Sequence, residues 1–212
     1  MRRERFIFLR WLERGLLLTA FLLLGTAAFA QLDLQLYQHS QSQRLARLLE
    51  EMPWSGKKST HAVKTRAEAA ASGLVGRIEI PRLGLSAIVA EGDDEDTLDR
   101  AVGHLPKTAF PGEKGNVGLA GHRDSFFRPL EEIRDDDRIF LRTPDGEFEY
   151  RVESTSIVEP DRIDLLQPTR SPSLTLVTCY PFRYVGSAPQ RFVVRARAVD
   201  VPAARRRSPE RK

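Results

Sequence analysis

Between Leu74 and Val199 the chain is divided into short runs of β-branched and aromatic residues, and this division most constrains its fold. The runs are bounded by Gly, Pro or Asp, and they are LVGRIEIP, LSAIVAE, NVGLAG, DRIFLRT, GEFEYRVESTSIVE, SLTLVTC and RFVVRARAV. Such runs are typical of β-strands. Only EDTLDRAVGH and FFRPLEEIR favour short helices. Many strands and few helices in about 125 residues predict a mainly β protein, a closed or nearly closed barrel.

The N-terminal segment combines an arginine cluster with an uncharged apolar run, Gly15 to Ala30. As a helix this run spans roughly 24 Å, less than the ~30 Å core of a bilayer, but apolar residues 6–9 and snorkelling arginines extend it. The tripeptide AFA at residues 28–30 is also typical of a signal cleavage site, so a retained membrane helix and a cleaved signal peptide both remain open. In either case the arginines place the N-terminus in the cytoplasm and the remainder outside.

Composition divides the chain into five segments. We expect a basic cytoplasmic segment (1–14), a membrane signal-anchor (15–30), a helical or flexible stalk (31–73), the β-barrel (74–201) and a basic disordered tail (202–212). The formal net charge is +4, and much of the excess lies in the two ends. A basic stripe interleaved with aromatic residues is not found in the middle of the sequence, which argues against nucleic-acid binding.

Cys179 is the only cysteine in the 212 residues. A single cysteine in an exported protein cannot form an intramolecular disulfide. It is an intermolecular partner, a buried small hydrophobe or a reactive thiol. Strand alternation puts Cys179 on the face opposite Leu174 and Leu176, which are expected to face the core.

Two basic side chains are expected near this thiol. In the next strand Arg191 alternates with the apolar residues and therefore points away from the core, as Cys179 does. If the two strands pair antiparallel, the end of the first lies beside the start of the second. His122 follows a strand that carries Gly118 and Ala120 on one face, where small side chains leave space over the sheet.

A thiol, an imidazole and a guanidinium are suited to acyl transfer. The thiolate attacks a carbonyl carbon, and a nearby imidazole or cation favours the thiolate. The imidazole protonates the departing amine and deprotonates the incoming one. The guanidinium and backbone N–H groups stabilise the oxyanion, for which one donor is worth about 3–4 kcal/mol in other systems.

These residues resemble the sortase family, most closely the class D type. TLVTC is similar to the sortase TLxTC signature, GNVGLAGHRDSFFRPLEEI to the segment with the family's histidine, and PQRFVVRA to the strand with its arginine. GHLPKTAFPGEKGN is similar to the loop before the histidine strand. The resemblance spans Leu74 to Val199 and keeps the order histidine, cysteine, arginine.

The resemblance implies an eight-stranded sortase β-barrel that performs cysteine transpeptidation on exported proteins. Cys179 would cleave the Thr–Gly bond of a C-terminal LPxTG-like sorting signal and form a thioester. His122 would be the proton donor and acceptor, and Arg191 would hold the substrate and oxyanion. An amine of a cell-wall precursor or a protein lysine, in the envelope or a pilus, would resolve the thioester. The family also implies a retained signal-anchor in the cell membrane.

Other residues are candidates for contacts with the substrate or with His122. Thr178 and His104 are candidate substrate contacts, although Thr178 also suits packing by its methyl group. Asp124 is a candidate to orient His122 through a hydrogen bond, although aspartate is also frequent in turns. The acidic run DDED, residues 93–96, favours a helix cap over a calcium site because it lacks the spacing of a calcium loop.

The sequence also lacks a glycine-rich phosphate loop and zinc-ligand spacing, so we expect neither cofactor nor metal. Two other functions remain as alternatives. One is a different envelope cysteine transpeptidase or peptidase, such as an L,D-transpeptidase, which typically carries a Ser-His-Gly-Cys stretch where this chain has LVTCYP. The other is a non-catalytic, membrane-tethered β-barrel used for binding.

Overall fold

The structure is a computed structural model that describes residues 2–51 and 71–199. It separates into two compact units, residues 1–40 and 41–212. Helix α1 (Arg2–Glu51) is continuous through the apolar run and beyond it. Among the described residues, α1 is the one helix that is long and apolar enough to cross a membrane, over Arg10–Leu48. The expected spacer from residue 52 to 70 and the tail 202–212 lie outside the described residues.

Eight strands form the second unit. They are β1 (Leu74–Ile80), β2 (Leu85–Glu91), β3 (Val102–His104), β4 (Asn116–Ala120), β5 (Arg138–Thr143), β6 (Gly146–Val158), β7 (Ser173–Tyr180) and β8 (Gln190–Ala198). The strands close into a barrel in the order β1-β2-β3-β4-β7-β8-β6-β5. The pairs β2–β3 and β4–β7 are parallel, and the others are antiparallel. The prediction of a mainly β, closed eight-stranded barrel is confirmed.

The core of the barrel is built from alternate residues of each strand, as the sequence pattern requires. On β7 and β8 the core residues are Leu174, Leu176, Val194 and Ala196. The two strands pair with Leu174 opposite Ala196 and Leu176 opposite Val194. The predicted division of these strands into a core face and an outer face is therefore confirmed.

One strand was not predicted. The segment EDTLDRAVGH begins as helix α2 (Glu95–Arg100), but its last residues form β3 and pair parallel with β2. A Cβ atom on Gly103 would lie 2.3 Å from the carbonyl oxygen of Gly92, so glycine is needed for this close backbone approach. The helix starts where DDED predicts a cap, because the Asp94 side chain accepts a hydrogen bond of 3.0 Å from the Thr97 amide.

Three short 3₁₀ helices connect the strands: η1 (Pro81–Leu83), η2 (Arg128–Glu132) and η3 (Ile163–Leu166). The segment FFRPLEEIR contains η2, which is shorter and tighter than the predicted helix. Phe127 and Leu130 anchor it because both side chains are fully buried in the core.

A buried carboxylate joins η1 to the start of β5. Asp137 is 8% exposed and accepts hydrogen bonds of 2.5 Å from Nε and Nη2 of Arg82. The backbone amide of Arg134 donates a third hydrogen bond of 2.8 Å to the same carboxylate. The hydrogen bonds from Arg82 lower the pKa of Asp137, and burial only partly opposes this effect.

We predict that Asp137 makes the barrel sensitive to acid. Because its folded pKa lies below the unfolded value of about 3.9, its contribution is complete above that value and is lost as the pH falls through the folded pKa. Asp137→Asn should lower the free energy of unfolding at pH 7 by about 2 kcal/mol. In urea titrations the difference between the variant and the wild type should be constant near neutral pH and shrink as the pH falls below about 4. Asp135→Asn, at an exposed neighbouring position, is the control, and a difference independent of pH would contradict the prediction.

Candidate active site

Cys179 and Arg191 are directly opposite each other in the antiparallel pair β7–β8. Residues in such positions have Cβ atoms about 4.5–5.5 Å apart. Both side chains lie on the outer face of the barrel, since the neighbouring residues of opposite parity face the core. Both are half-buried, so the thiol is not sealed in the interior. The strand pairing expected from the sequence is present.

His122 lies beyond the end of β4, which is the other neighbour of β7. In the parallel β4–β7 ladder Ala120 is the register partner of Val177. His122 follows Ala120 by the same number of residues as Cys179 follows Val177. The register therefore brings His122 to the end of β7 that carries Cys179, two residues beyond the last pair of the ladder. The same end of the barrel thus carries His122, Cys179 and Arg191.

Gly121 extends this ladder up to His122. Its amide donates a hydrogen bond of 3.2 Å to the carbonyl oxygen of Val177. Its carbonyl oxygen accepts a hydrogen bond of 2.7 Å from Oγ1 of Thr178. A Cβ atom at this position would lie 2.9 Å from the ring of Phe127, so glycine allows the ring to pack closely. The backbone just before His122 is therefore fixed to the strand that carries Cys179.

Thr178 makes the side-chain hydrogen bond that connects β7 to Gly121. It is 3% exposed, and its hydroxyl is engaged by Gly121. The structure therefore gives Thr178 a role in joining β7 to the histidine turn, and little of its surface is left for the substrate contact expected from the sequence.

Asp99 is the acidic partner of His122. Nε2 of His122 lies 3.3 Å from Oδ1 of Asp99, which is on α2, and the two side chains are 37% and 65% exposed. Asp124, the expected partner, lies exposed in the turn that follows the histidine. Sequence reasoning missed Asp99. Its only signal was its place in a short acidic helix, and no spacing rule connects that helix with His122.

His104 does not line the site, contrary to expectation. The side chain is 0% exposed. Its Nδ1 lies 2.7 Å from Oε2 of Glu91, and its Nε2 lies 3.0 Å from the carbonyl oxygen of Ala109. The ring also packs against Phe110, with centroids 4.5 Å apart. His104 ends β3, a strand that the sequence pattern did not predict, and this strand holds the ring in its buried position.

The space expected over Gly118 is filled by the chain itself. The amide of Leu105 donates a hydrogen bond of 2.9 Å to the carbonyl oxygen of Gly118. Oγ1 of Thr108 accepts a hydrogen bond of 3.1 Å from the Gly118 amide. A Cβ atom on Gly118 would lie 2.9 Å from Cγ2 of Thr108. The absence of a side chain at Gly118 therefore lets residues 105–108 pack closely against β4.

Two loops flank the outer face of β7. The loop of residues 159–172 contains η3, and its Leu165 carbonyl accepts hydrogen bonds from Nδ2 of Asn116 (2.9 Å) and Nη2 of Arg195 (3.3 Å). Oδ1 of Asn116 in turn accepts a hydrogen bond of 2.9 Å from Thr175. This loop is therefore held to β4, β7 and β8 together. The second loop, residues 181–189, connects β7 to β8 directly.

Arg191 contacts the second loop. Its Nη1 donates hydrogen bonds to the carbonyl oxygens of Gln190 (3.0 Å) and Ala188 (3.3 Å). A guanidinium has five N–H donors in a planar fork, and both of these bonds use one nitrogen. Ala188 of the loop and Gln190 of β8 can therefore orient the guanidinium and leave other N–H donors of Arg191 available.

Comparison with known proteins gives a consistent result. The sortase domain model matches residues 78–199. Sortase D of Bacillus subtilis is 36% identical over 149 residues, which cover 68% of this chain and 74% of that protein. A Clostridium perfringens Sortase D5 transpeptidase structure is 27% identical with a TM-score of 0.59, covering 73% of this chain and 98% of that one. Sortase C1 of GBS Pilus Island 1 shares the fold at 20% identity, with a TM-score of 0.66 and coverage of 81% and 96%.

The chain belongs to the sortase family, and the predicted likeness to the class D type is confirmed. Sortases are cysteine transpeptidases, and this chain is an enzyme of that kind with a single cysteine, Cys179.

We predict that the bond between Thr178 and Gly121 stabilises the site end of the barrel. Thr178→Val keeps the shape of the side chain but leaves the buried carbonyl without its donor, which should lower the free energy of unfolding by about 1–2 kcal/mol. Urea titration measures this difference. Thr155→Val, at an exposed position of β6, is the matched control, and an equal effect of the two changes would contradict the prediction.

Proposed function

We propose that this sortase cleaves an LPxTG-like sorting signal through a thioester on Cys179 and transfers the released carboxyl to an amine. The observation that carries the proposal is the arrangement around β7. One ladder sets Arg191 opposite Cys179, and the other brings His122 to the same end of the barrel. A thiol, an imidazole and a cationic hydrogen-bond donor are together suited to acyl transfer.

In the first step the Cys179 sulfur, whose proton has passed to His122, attacks the carbonyl carbon of the scissile Thr–Gly bond. The carbonyl oxygen becomes an oxyanion, and Arg191 donates hydrogen bonds to it from donors not used by the loop carbonyls. His122 protonates the departing glycine nitrogen, so the C–N bond breaks and a thioester remains. Loss of one such oxyanion donor in other enzymes lowers the rate about 10²–10³-fold.

In the second step an amine attacks the thioester carbon. His122 accepts the proton of this amine, an amide bond forms, and the Cys179 thiolate leaves. A lysine of a protein subunit and an amino group of a cell-wall precursor both supply the required chemistry. Water in place of the amine gives hydrolysis.

We further propose that α1 anchors the enzyme in the cell membrane by a single span. The apolar stretch within Arg10–Leu48 supports this assignment by its length and composition. The arginines before it favour a cytoplasmic N-terminus, which leaves the barrel in the envelope beside exported substrates. The segment boundaries expected from the sequence, 1–14, 15–30, 31–73, 74–201 and 202–212, belong to the same proposal.

We predict a covalent intermediate on Cys179. The purified chain, incubated with LPxTG-like peptides without an amine, should gain the mass of the peptide up to its threonine, and added amine should remove it. Cys179→Ala should abolish the adduct. His122→Ala and Arg191→Ala should slow its formation at least about 100-fold.

The Cys179→Ser variant separates the competing functions. A tethered binding protein would bind the peptides equally well with serine at position 179. The proposed enzyme would lose turnover. An adduct on a residue other than Cys179, or equal rates in the Arg191→Ala variant and the wild type, would contradict the mechanism.

We predict that Asp99 supports His122 to a small degree. The two side chains are substantially exposed, so their interaction is screened by water, and Asp99→Asn should lower kcat/KM only about two- to fivefold. Asp124→Asn is the matched control and should leave kcat/KM unchanged. A larger effect of Asp124→Asn than of Asp99→Asn would reverse the assignment.

A further inference from the structure

Arg123, the residue after His122, holds the loop that follows Cys179. Its Nη1 donates a hydrogen bond of 3.1 Å to the carbonyl oxygen of Pro181. Its Nη2 donates hydrogen bonds of 2.9 Å to the carbonyl oxygens of Tyr184 and Gly186. The guanidinium also lies 5.7 Å from the centre of the Tyr184 ring. One side chain thus binds three carbonyls distributed along residues 181–189.

The tip of this loop has little else to hold it in place. Residues 183–187 are exposed, and Val185 is 98% exposed, so burial of apolar surface does not fix them. Arg183 forms an ion pair of 3.5 Å with Glu131, but both side chains are exposed and such pairs contribute little. Charge-assisted hydrogen bonds from one planar guanidinium are the stronger restraint.

The other end of the same loop orients Arg191. Its Nη1 donates to the carbonyl oxygen of Ala188, two residues after the part held by Arg123, and to that of Gln190, the first residue of β8. The guanidinium opposite Cys179 therefore depends on where the loop backbone lies. These contacts begin at Arg123, which directly follows His122 in the sequence.

We propose that Arg123 is a positioning residue for the transpeptidation reaction: it fixes residues 181–189 and through them the guanidinium of Arg191. The inference rests on the proposed function for its kinetic part, but the loop restraint itself is independent of any substrate. Arginine is required because its fork reaches several carbonyls at once. A lysine ammonium is a single point charge on a flexible stem.

Limited trypsin digestion of the full-length protein in detergent, followed by mass spectrometry, tests the restraint directly. Arg123→Ala should speed cleavage after the exposed Arg183 about tenfold or more, because the hydrogen bonds that hold the loop are lost. Arg138→Ala is the matched control. That guanidinium also forms two hydrogen bonds, with Glu149, and lies 5.1 Å from the Phe140 ring, but on β5, away from β7.

A double-mutant cycle tests the path through Arg191. We expect Arg123→Ala to slow thioester formation about tenfold in the wild type and distinctly less in an Arg191→Lys background, since coupled residues are not additive. Arg123→Lys should restore part of the rate, and Arg138→Ala should leave it unchanged. Thermal unfolding of every variant separates these effects from a loss of the fold.

The outcomes are distinguishable. An unchanged rate of cleavage after Arg183 in Arg123→Ala overturns the inference whatever the activity, and so do additive effects in the cycle. If the wild type forms no thioester with any peptide, the proposed function fails, and the digestion experiment still decides whether Arg123 holds the loop.

Discussion

Strand β7 is hydrogen-bonded along both edges, and the position of every site residue depends on these two ladders. The parallel ladder with β4 brings the histidine turn alongside, and the antiparallel ladder with β8 sets the arginine across from the thiol. Each ladder is built from backbone groups only. The arrangement is therefore tolerant of changes in most outward side chains and sensitive to changes that shift the strand register, since a slip of one residue would turn Cys179 into the core.

A layer of buried polar side chains reinforces these ladders. Asn116, Thr175 and Thr178 are each at most 3% exposed, and each is hydrogen-bonded to a neighbouring strand or loop. Within the described part of the chain, Gln41 Oε1 is the buried side-chain atom without a partner. Polar contacts of this kind are costly to break, because a separated donor or acceptor stays buried without compensation. They fix β7 to its neighbours on both of its faces, with Thr175 on the outer face and Thr178 on the face of Leu174 and Leu176.

Local patterns predicted much of this protein, and the misses have a common origin. Period-two alternation was sufficient to place Cys179 and Arg191 on one face of adjacent strands. The three-residue strand containing His104 is too short for such a pattern, and its pairing depends on the contact between Gly103 and Gly92. Asp99 meets His122 only because α2 leads into β3 and β3 pairs with β4, the strand that His122 follows. Contacts that depend on the order of the strands in the sheet cannot be predicted from the spacing of residues in the sequence.

The closed strand order has a consequence for how peptides are recognised. Every described strand of the barrel has a partner on each side, so the sheet has no edge strand that is open along its whole length. On the β8 side β7 is paired from Ser173 to Tyr180, so an extended ligand cannot add to β7 there, although such addition is a common way to bind peptides regardless of their sequence. Selectivity at the thiol then depends mainly on the side chains and connecting segments above it, where single substitutions can alter it without disturbing the scaffold.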